Sequence, residues 1–436
     1  MRTVVVGAGP VGMFAALALA QRRDEVVLVD RDAGPESADS WHRRGVMQFG
    51  HPHYFRHIVR DVLAEHLPGV LDDVLAAGAV LAAPGSHPEL AGLQCRRSVF
   101  ERVLRLAAES QPRVEVRVGR ADRVSIAGGR IDGVVVDGVS VAADRVICAT
   151  GRTSRFADDV RAPGTDLDCG LAYVSRTYRA RQGATWPDFP VLGAFYDGYQ
   201  AGLFPHDSGF LSVLIIRRSD DSELKALRHS AAFGAAVAEI PNLAPWTDPA
   251  DWDALGDVKV GGRLTNSYRG QFDVDGHVPV PGLLFVGDAV CTTNPVAGRG
   301  VSLGFAQADA VLRLVGEYPD PVDATAALDA WSAANIYPWF ADHVAIDAAT
   351  LRRYAGEPID IEGPLASNVV VAAAAHDPSL MPVVLRYLGM LSLPASLAEA
   401  EPRARELLRS GWRPTYAAGP TRDQLVDIIG ASVQSA

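Results

Sequence analysis

The sequence predicts a doubly wound α/β fold with a mixed β-sheet inserted into it and a helical C-terminal region. Two glycine-rich segments and one change of texture point there. The first segment is Val4-Val5-Val6-Gly7-Ala8-Gly9-Pro10-Val11-Gly12, an apolar run that breaks into glycines. The second is Leu284-Phe285-Val286-Gly287-Asp288-Ala289, followed by Asn294-Pro295-Val296-Ala297-Gly298-Arg299-Gly300-Val301. Over residues 166–268 the chain changes from Ala- and Leu-rich helical stretches to short strand-like runs.

Taken in order, Met1 to Val6 reads as a buried parallel strand, because its apolar residues continue without alternation. Val11 to Arg22 has helical composition, and Glu25 to Asp30 is a second apolar strand. Such a βαβ unit is right-handed in nearly every case. A loop follows over residues 33–53. Residues 55–78 are expected to form a helix, with Leu63, Leu67, Val70, Leu71, Val74 and Leu75 along one side. Ser98 to Ser110 is another helix. Strands at Val114–Val118, Arg130–Val136 and Val139–Val141 alternate with turns at Gly128-Gly129 and Asp137-Gly138. Arg145 to Ala149 is a buried strand running into Thr150-Gly151.

Leu171–Tyr178, Gly193–Tyr196 and Phe210–Ile216 are the strand-like runs of the inserted sheet. Leu283 to Val286 returns to a buried strand, and a helix opens at Val301. The last hundred residues look helical, with breaks between Pro358 and Pro364 and between Pro378 and Pro382. Four segments result: residues 1–165 and 269–318 as two parts of a nucleotide-binding domain, 166–268 as a β-rich substrate domain, and 319–436 as a helical region.

A chain of 436 residues buries a large core. Its 48% apolar and 21% charged content is that of a soluble globular protein. No apolar run reaches the roughly 18–20 residues that a membrane span needs. Val4 to Ala20 is interrupted by glycines and lacks the flanks of a signal peptide, so a cytoplasmic location is expected. A net charge of −11 argues against a nucleic-acid partner. Cys95, Cys148, Cys169 and Cys291 show no CxxC or metal-ligand spacing; they read as reduced and buried, and no metal is expected. Lys225 and Lys259 are the only lysines, which excludes a mechanism that needs one in the first half of the chain.

The first glycine segment is a GxGxxG. Gly7 permits the tight strand-to-helix turn, Gly9 lets a pyrophosphate approach the backbone, and Gly12 lets the helix pack on the strand. The helix N-terminus, with Pro10 and Val11 in its first turn, stabilises the negative charge. Asp30 follows Gly12 by eighteen residues, at the end of the second strand, where a carboxylate accepts hydrogen bonds from a ribose diol. This motif alone does not separate a nicotinamide from a flavin dinucleotide.

The second segment makes that separation by resemblance. Its order of strand, Gly287-Asp288, Pro295, Gly298, Gly300 and helix is similar to that of the group A FAD-dependent monooxygenases, the superfamily of aromatic hydroxylases and of squalene- and polyether-epoxidase-like flavoproteins. The resemblance implies a Rossmann-like FAD domain of the glutathione-reductase type. It gives Asp288 to the ribityl chain and the backbone at Gly300 and Val301 to the edge of the flavin ring. Arg43-Arg44-Gly45-Val46, with Arg31 and Met47 near it, resembles the family's loop beside that ring, and Arg97 its arginine near the phosphates. Thr150 and Gly151 complete the implied cofactor set.

Two departures stand out. Ala149-Thr150-Gly151 replaces the Cys-Asp-Gly usual in aromatic hydroxylases, which weakens the case for built-in reduction by NADH or NADPH and leaves room for a separate flavin reductase. Cys291 stands where a histidine is usual, as in the epoxidase-like branch. Flavin halogenases share the nucleotide domain, but their lysine and their Trp-x-Trp-x-Ile-Pro segment are missing.

The implied activity is oxygen insertion, by hydroxylation or epoxidation, into an apolar or aromatic small molecule through a flavin C4a-hydroperoxide, in specialised metabolism. The alternative is an FAD-dependent oxidase, reductase or dehydrogenase without oxygen insertion. A flavin-binding module without catalysis is the third reading. The polar candidates for catalysis are His51, His53 and Arg43. Tyr178, Tyr196, His206 and Arg217 are candidates for the substrate pocket, although strand alternation turns half of such residues away from it. Trp331, Trp339 and Phe340 are expected in the core. The oligomeric state is left open.

Overall fold

The computed structural model describes residues 1–35, 41–43, 45–83, 87–187 and 193–434. Its centre is a parallel sheet of β1 (Arg2–Val6), β2 (Glu25–Asp30), β5 (Val114–Val118), β9 (Arg145–Cys148) and β17 (Leu283–Phe285), in the order β17-β9-β1-β2-β5. The Val, Ile and Leu side chains of β1, β2 and β9 are buried on both faces, which is why these strands read as continuous apolar runs. One face carries α1 (Pro10–Gln21), α2 (His57–His66), α3 (Pro68–Ala76), α4 (Arg97–Ser110) and α6 (Gly300–Glu317). Helix α1 is buried almost all round, since α4 and α6 cover the side turned away from the sheet. An Ala- and Leu-rich helix with no polar stripe fits only there. A short hairpin of β3 (Val80–Ala82) and β4 (Gly92–Gln94) lies beside α2.

The other face is covered by an antiparallel sheet of β6 (Ala121–Ala127), β7 (Arg130–Val136) and β8 (Val139–Ala142), and by C-terminal helices. Helix α7 (Pro321–Asn335) packs on α6 and gives Leu328 to the core of the first face, while the helices on this second face are α8 (Tyr337–Tyr354), α9 (Ser367–His376), α10 (Met381–Leu388) and α11 (Glu401–Arg409). Trp339 and Phe340 are buried there, and Trp331 packs against the core.

The inserted region is a five-stranded sheet of β11 (Leu171–Ala180), β12 (Ala194–Tyr196), β13 (Tyr199–Pro205), β14 (Phe210–Arg218) and β15 (Trp252–Gly261), in the order β12-β13-β14-β11-β15. All its pairings are antiparallel, which corrects the expectation of a mixed sheet. Its connections between β12, β13 and β14 are short hairpins, and these can only join antiparallel neighbours. Helices α5 (Ser230–Glu239) and α12 (Arg422–Gln434) cover the outer face. The chain therefore returns from the C-terminal region to close the inserted unit. A third small sheet of β10 (Thr165–Asp168), β16 (Thr265–Tyr268) and β18 (Cys291–Thr292) joins this unit to the first domain.

Two further expectations are corrected. The helix foreseen over residues 55–78 is two helices broken at Leu67 (φ −141°, ψ 56°), because the residue before Pro68 is driven out of the helical region. Strand β6 was not foreseen; most of its side chains are exposed or half-buried and give no apolar pattern. Among the described residues, no helix is long and apolar enough to cross a membrane.

Candidate active site

The glycine-turn end of the site is built from backbone. Gly7 has φ +103°, its N–H donates to Val29 O at 2.7 Å, and a Cβ there would lie 2.3 Å from Ala149 O. At Gly12 a Cβ would lie 1.9 Å from Gly7 O. Gly9, by contrast, faces open space. It caps α1, with Pro10 at the first helical position, where the missing N–H costs nothing. Asp30 Oδ2 accepts from Ala8 N at 2.6 Å and Asp30 Oδ1 from Asp32 N at 2.9 Å, so the carboxylate is tied to the glycine turn. Gly7, Asp30, Arg31, Thr150, Ser154 and Phe156 line an outer cleft of about 480 Å³, a volume typical of small-molecule sites.

Arg43 crosses beneath this cleft. It donates to Asp30 at 2.8 Å, to Glu101 at 2.7 Å and to Ala8 O at 2.8 Å. Burial works against its charge, but Glu101, Asp30 and Asp32 outweigh burial and hold the guanidinium protonated beyond the ordinary range. Arg43 thus braces the glycine turn against Asp30 and Glu101, and it lines the cleft, not the inner cavity where His51 and His53 stand. Arg44 lies outside the described residues. Val46 and Met47 line the inner part of the cleft with Gly9, Thr150 and Gly151.

Gln48, Arg97 and Asp288 line both this inner part and a deeper cavity. The two spaces therefore meet at these three side chains. Burial raises the Asp288 carboxyl above the ordinary carboxylate range, and Arg97 and Arg152 pull it back. Arg97 is held by an ion pair with Glu101 one turn along α4, and its Nη1 lies 3.4 Å from His53 Nε2. The deeper cavity is walled by Tyr54, Tyr173, Phe204 and Leu214 on one side and by Thr293, Pro295, Val296, Gly298, Gly300 and Val301 on the other. The two glycine segments meet through Val11, which lies 3.6 Å from where a Cβ on Gly287 would sit and 2.4 Å from one on Gly304. The surfaces fit a flavin dinucleotide. Gly9 and Gly151 leave open space where side chains would intrude, and the buried Thr293 Oγ1 has no hydrogen-bond partner among the described residues.

Three histidines cluster nearby, all held in the neutral form at physiological pH. His51 is pushed down to about 4, by burial and then by Lys259. His53 is pushed down to about 3, by burial and then by Arg97, and His206 to about 4 by burial. His51 Nδ1 lies 2.7 Å from Ser175 Oγ, and its ring meets Tyr173 edge-on at 4.6 Å. His51 and His53 line the cavity, whereas His206 stands behind it, 3.0 Å from Ser212 Oγ. Lys259 comes from β15 and donates to Gly50 O at 3.0 Å. Tertiary folding thus brings a lysine to the loop beside His51, although none is near in sequence.

Tyr178, Tyr196 and Arg217 do not line the cavity. Tyr178 and Tyr196 belong to the core between the inserted sheet and α5, where Tyr196 stacks on Tyr199 at 4.9 Å. Arg217 donates to Arg218 O and Asp221 O at 2.7 and 3.3 Å. The reason is strand parity: Tyr173 and Tyr178 are five residues apart on β11, and Leu214 and Arg217 three apart on β14, so each pair points to opposite faces. The same parity, applied from Tyr173 and Leu214, was the signal that could have found the wall residues. Tyr54, Phe204 and Thr293 carry no such signal and come from separate loops and strand ends.

Residues 2–121 match the FAD dependent oxidoreductase family. Among curated proteins, the chain is 24% identical to the 6-hydroxy-3-succinoylpyridine 3-monooxygenase HspB of Pseudomonas putida, over 72% of this chain and 79% of that one. It is also 24% identical to a menaquinone reductase of Mycolicibacterium smegmatis, over 89% and 91%. Among solved structures, the flavin-dependent brominase Bmp2 superposes with a TM-score of 0.65 at 16% identity, covering 94% of this chain and 99% of that one. The fold is that of flavin-dependent enzymes of several chemistries.

Proposed function

We propose that this chain, an FAD-dependent oxidoreductase, is a monooxygenase that inserts oxygen into an apolar or aromatic small molecule. One observation carries the reading: a cleft shaped for a dinucleotide continues, past Gln48, Arg97 and Asp288, into a buried cavity with aromatic and aliphatic walls. Gly7, Gly9, Gly12 and Asp30 would hold the adenosine and pyrophosphate end. Arg97 and Asp288 would hold the middle, and Gly298, Gly300 and Val301 the ring. When bound, the flavin supplies the electrons and activates oxygen.

The protein's own part is to orient substrate and to exclude water. Tyr173, Phe204 and Leu214 offer flat and branched apolar surface to a ring. His51 is neutral and hydrogen-bonded to Ser175, so it can orient a polar group of the substrate through a hydrogen bond, while burial and Lys259 disfavour the charged form that taking up a proton would create. HspB, named as a monooxygenase of a pyridine compound, supports this reading. The relative named menaquinone reductase favours a second one, in which electrons pass to an apolar substrate without oxygen insertion. We place the enzyme in the cytoplasm, with NADH, NADPH or a separate flavin reductase as the electron source.

The test is to purify the protein, record its visible spectrum, reduce it and mix it with ¹⁸O-labelled oxygen and aromatic candidates. Label appearing in product supports a monooxygenase; reoxidation that yields only peroxide, or a product that gains hydrogen but no label, sinks that reading in favour of the second. Asp288→Ala is expected to lower retained FAD sharply, and equal flavin occupancy in the purified variant would remove Asp288 from the cofactor site.

A further inference from the structure

The loop from Asn294 to Gly300 forms one wall of the inner cavity, and apart from Arg56 the side chains that hold it come from residues beyond 260. At its start, Asn294 Nδ2 donates to Asp347 Oδ1 at 2.7 Å, and Asn294 N donates to Asn266 Oδ1 at 2.7 Å. Asn266 Nδ2 donates in turn to Asp347 Oδ2 at 2.7 Å. At its middle, Arg56 Nη2 donates to Ala297 O at 2.6 Å. At its end, Arg299 Nη1 donates to Asp342 Oδ2 at 3.0 Å, and its guanidinium lies 4.6 Å from the ring centre of Trp339 and 4.8 Å from that of Tyr387. Tyr387 OH donates to the same Asp342 oxygen at 2.7 Å, and Ser367 Oγ to the other.

Asp342 and Asp347 both stand on α8, five residues apart, and both are buried. Arg299 and Asp342 keep only 3% and 4% of their side-chain surface exposed. A pair that deep is seldom more stabilising than apolar packing of the same volume, so stability alone is a poor reason for it. It does fix geometry. Arg299 is flanked by Gly298 and Gly300, which line the cavity, and α6 begins at Gly300.

We propose that α8 acts as a buckle: Asp342, through Arg299, and Asp347, through Asn294, position the Asn294–Gly300 backbone and the start of α6 against the flavin ring. The proposal rests on the reading of the cleft as an FAD site. Asp342 and Asp347 are positioning residues, since they reach the cofactor only through the loop. A second consequence is electrostatic. Without the Asp342 charge, Arg299 is an uncompensated cation one residue from the cavity wall, and a nearby cation favours the anionic, reduced flavin.

The test uses the full chain with Asp342→Asn, Asp347→Asn and the double variant Arg299→Met/Asp342→Leu. FAD affinity, the visible spectrum and midpoint potential of bound flavin, and the melting temperatures of FAD-free and FAD-loaded protein are measured. Asp342→Asn and Asp347→Asn should each weaken FAD binding about tenfold, the effect of losing one charge-assisted hydrogen bond. Both should lower the melting temperature of the loaded protein more than that of the FAD-free protein. Asp342→Asn should also move the flavin potential to more positive values, and the double variant should bring it back while binding stays weak. Unchanged affinity, spectrum and potential, with equal melting losses in both forms, would show α8 to be a structural support only and overturn the proposal. If Asp342→Asn does not fold, Asp347→Asn decides by the same readouts. A wild-type protein that takes up no FAD overturns the FAD reading and the buckle together, whereas failure of the buckle alone leaves wild-type uptake intact.

Discussion

Gly9 and Gly12 sit three residues apart in one turn, and the space around them separates two jobs that the motif combines. Gly12 is required by the protein itself, since a methyl group there would lie 1.9 Å from Gly7 O. Gly9 has no such need, because its missing side chain faces open space in the cleft where we propose the cofactor binds. Gly12→Ala is therefore expected to destabilise the FAD-free protein by about 1–3 kcal/mol, the usual cost of forcing backbone apart in a packed site. Gly9→Ala should leave FAD-free stability within about 0.5 kcal/mol, as at other unstrained surface positions, and should weaken FAD binding. Thermal melts with and without FAD, with a fluorescence titration, check both. Equal losses of stability in the two FAD-free variants would mean that the open space at Gly9 serves packing rather than cofactor.

At the scale of elements, the inserted sheet divides its work by parity. Leu171, Tyr173, Leu214 and Ile216 face the cavity side, whereas Val174, Tyr178, Val213 and Ile215 pack against α5 and α12. Tyr173→Ala is expected to raise the dissociation constant of a bound aromatic substrate as well as to cost stability, because Tyr173 is buried and lines the cavity. Tyr178→Ala should destabilise the protein by about 3–5 kcal/mol, as large-to-small changes in a core do, and leave substrate affinity of the folded fraction unchanged. Urea denaturation and a spectral titration of the FAD-loaded protein separate the two. A larger effect of Tyr178→Ala on affinity than of Tyr173→Ala would reverse the assignment of faces.

Across the whole molecule, the buried histidines link stability to pH. His51 and His206 take up protons near 6.5 when unfolded and only at about 4 when folded. The unfolded state therefore binds more protons between those values. The stabilisation is complete above about pH 6.5 and is lost as pH falls toward 4, at up to about 1.4 kcal/mol per pH unit for each histidine. His53 acts in the same sense, down to about 3. Replacing His206 by Asn should flatten the acid limb of a stability-against-pH curve and leave its slope above pH 7 unchanged. An unaltered acid limb would show that His206 is already charged or solvated when folded. The last helix binds the molecule together at the same scale, since Leu425 and Ile429 of α12 are buried in the core of the inserted unit.

Some of this architecture could be read along the chain because it depends on neighbours in sequence. A tight strand-to-helix turn needs Gly7 and Gly12 wherever it occurs, and buried parallel strands have to be apolar throughout, so β1, α1, β2, β9 and β17 were legible from residue order. The break at Leu67 was legible too, in Pro68, but the apolar stripe running through it masked the break. Other features depend on which surfaces meet, and no local pattern encodes that. Arg43 became a brace only because Glu101 of α4 lies beneath it. Lys259 reached the His51 loop across a sheet. Asp342 and Asp347 look like ordinary helix carboxylates until folding buries them against Arg299 and Asn294. The sequence by itself determined the strand–helix units and their two glycine turns, because backbone conformation is a local property. Only the tertiary structure decided the walls of the inner cavity and what holds them, because burial and charge pairing arise between segments distant in sequence.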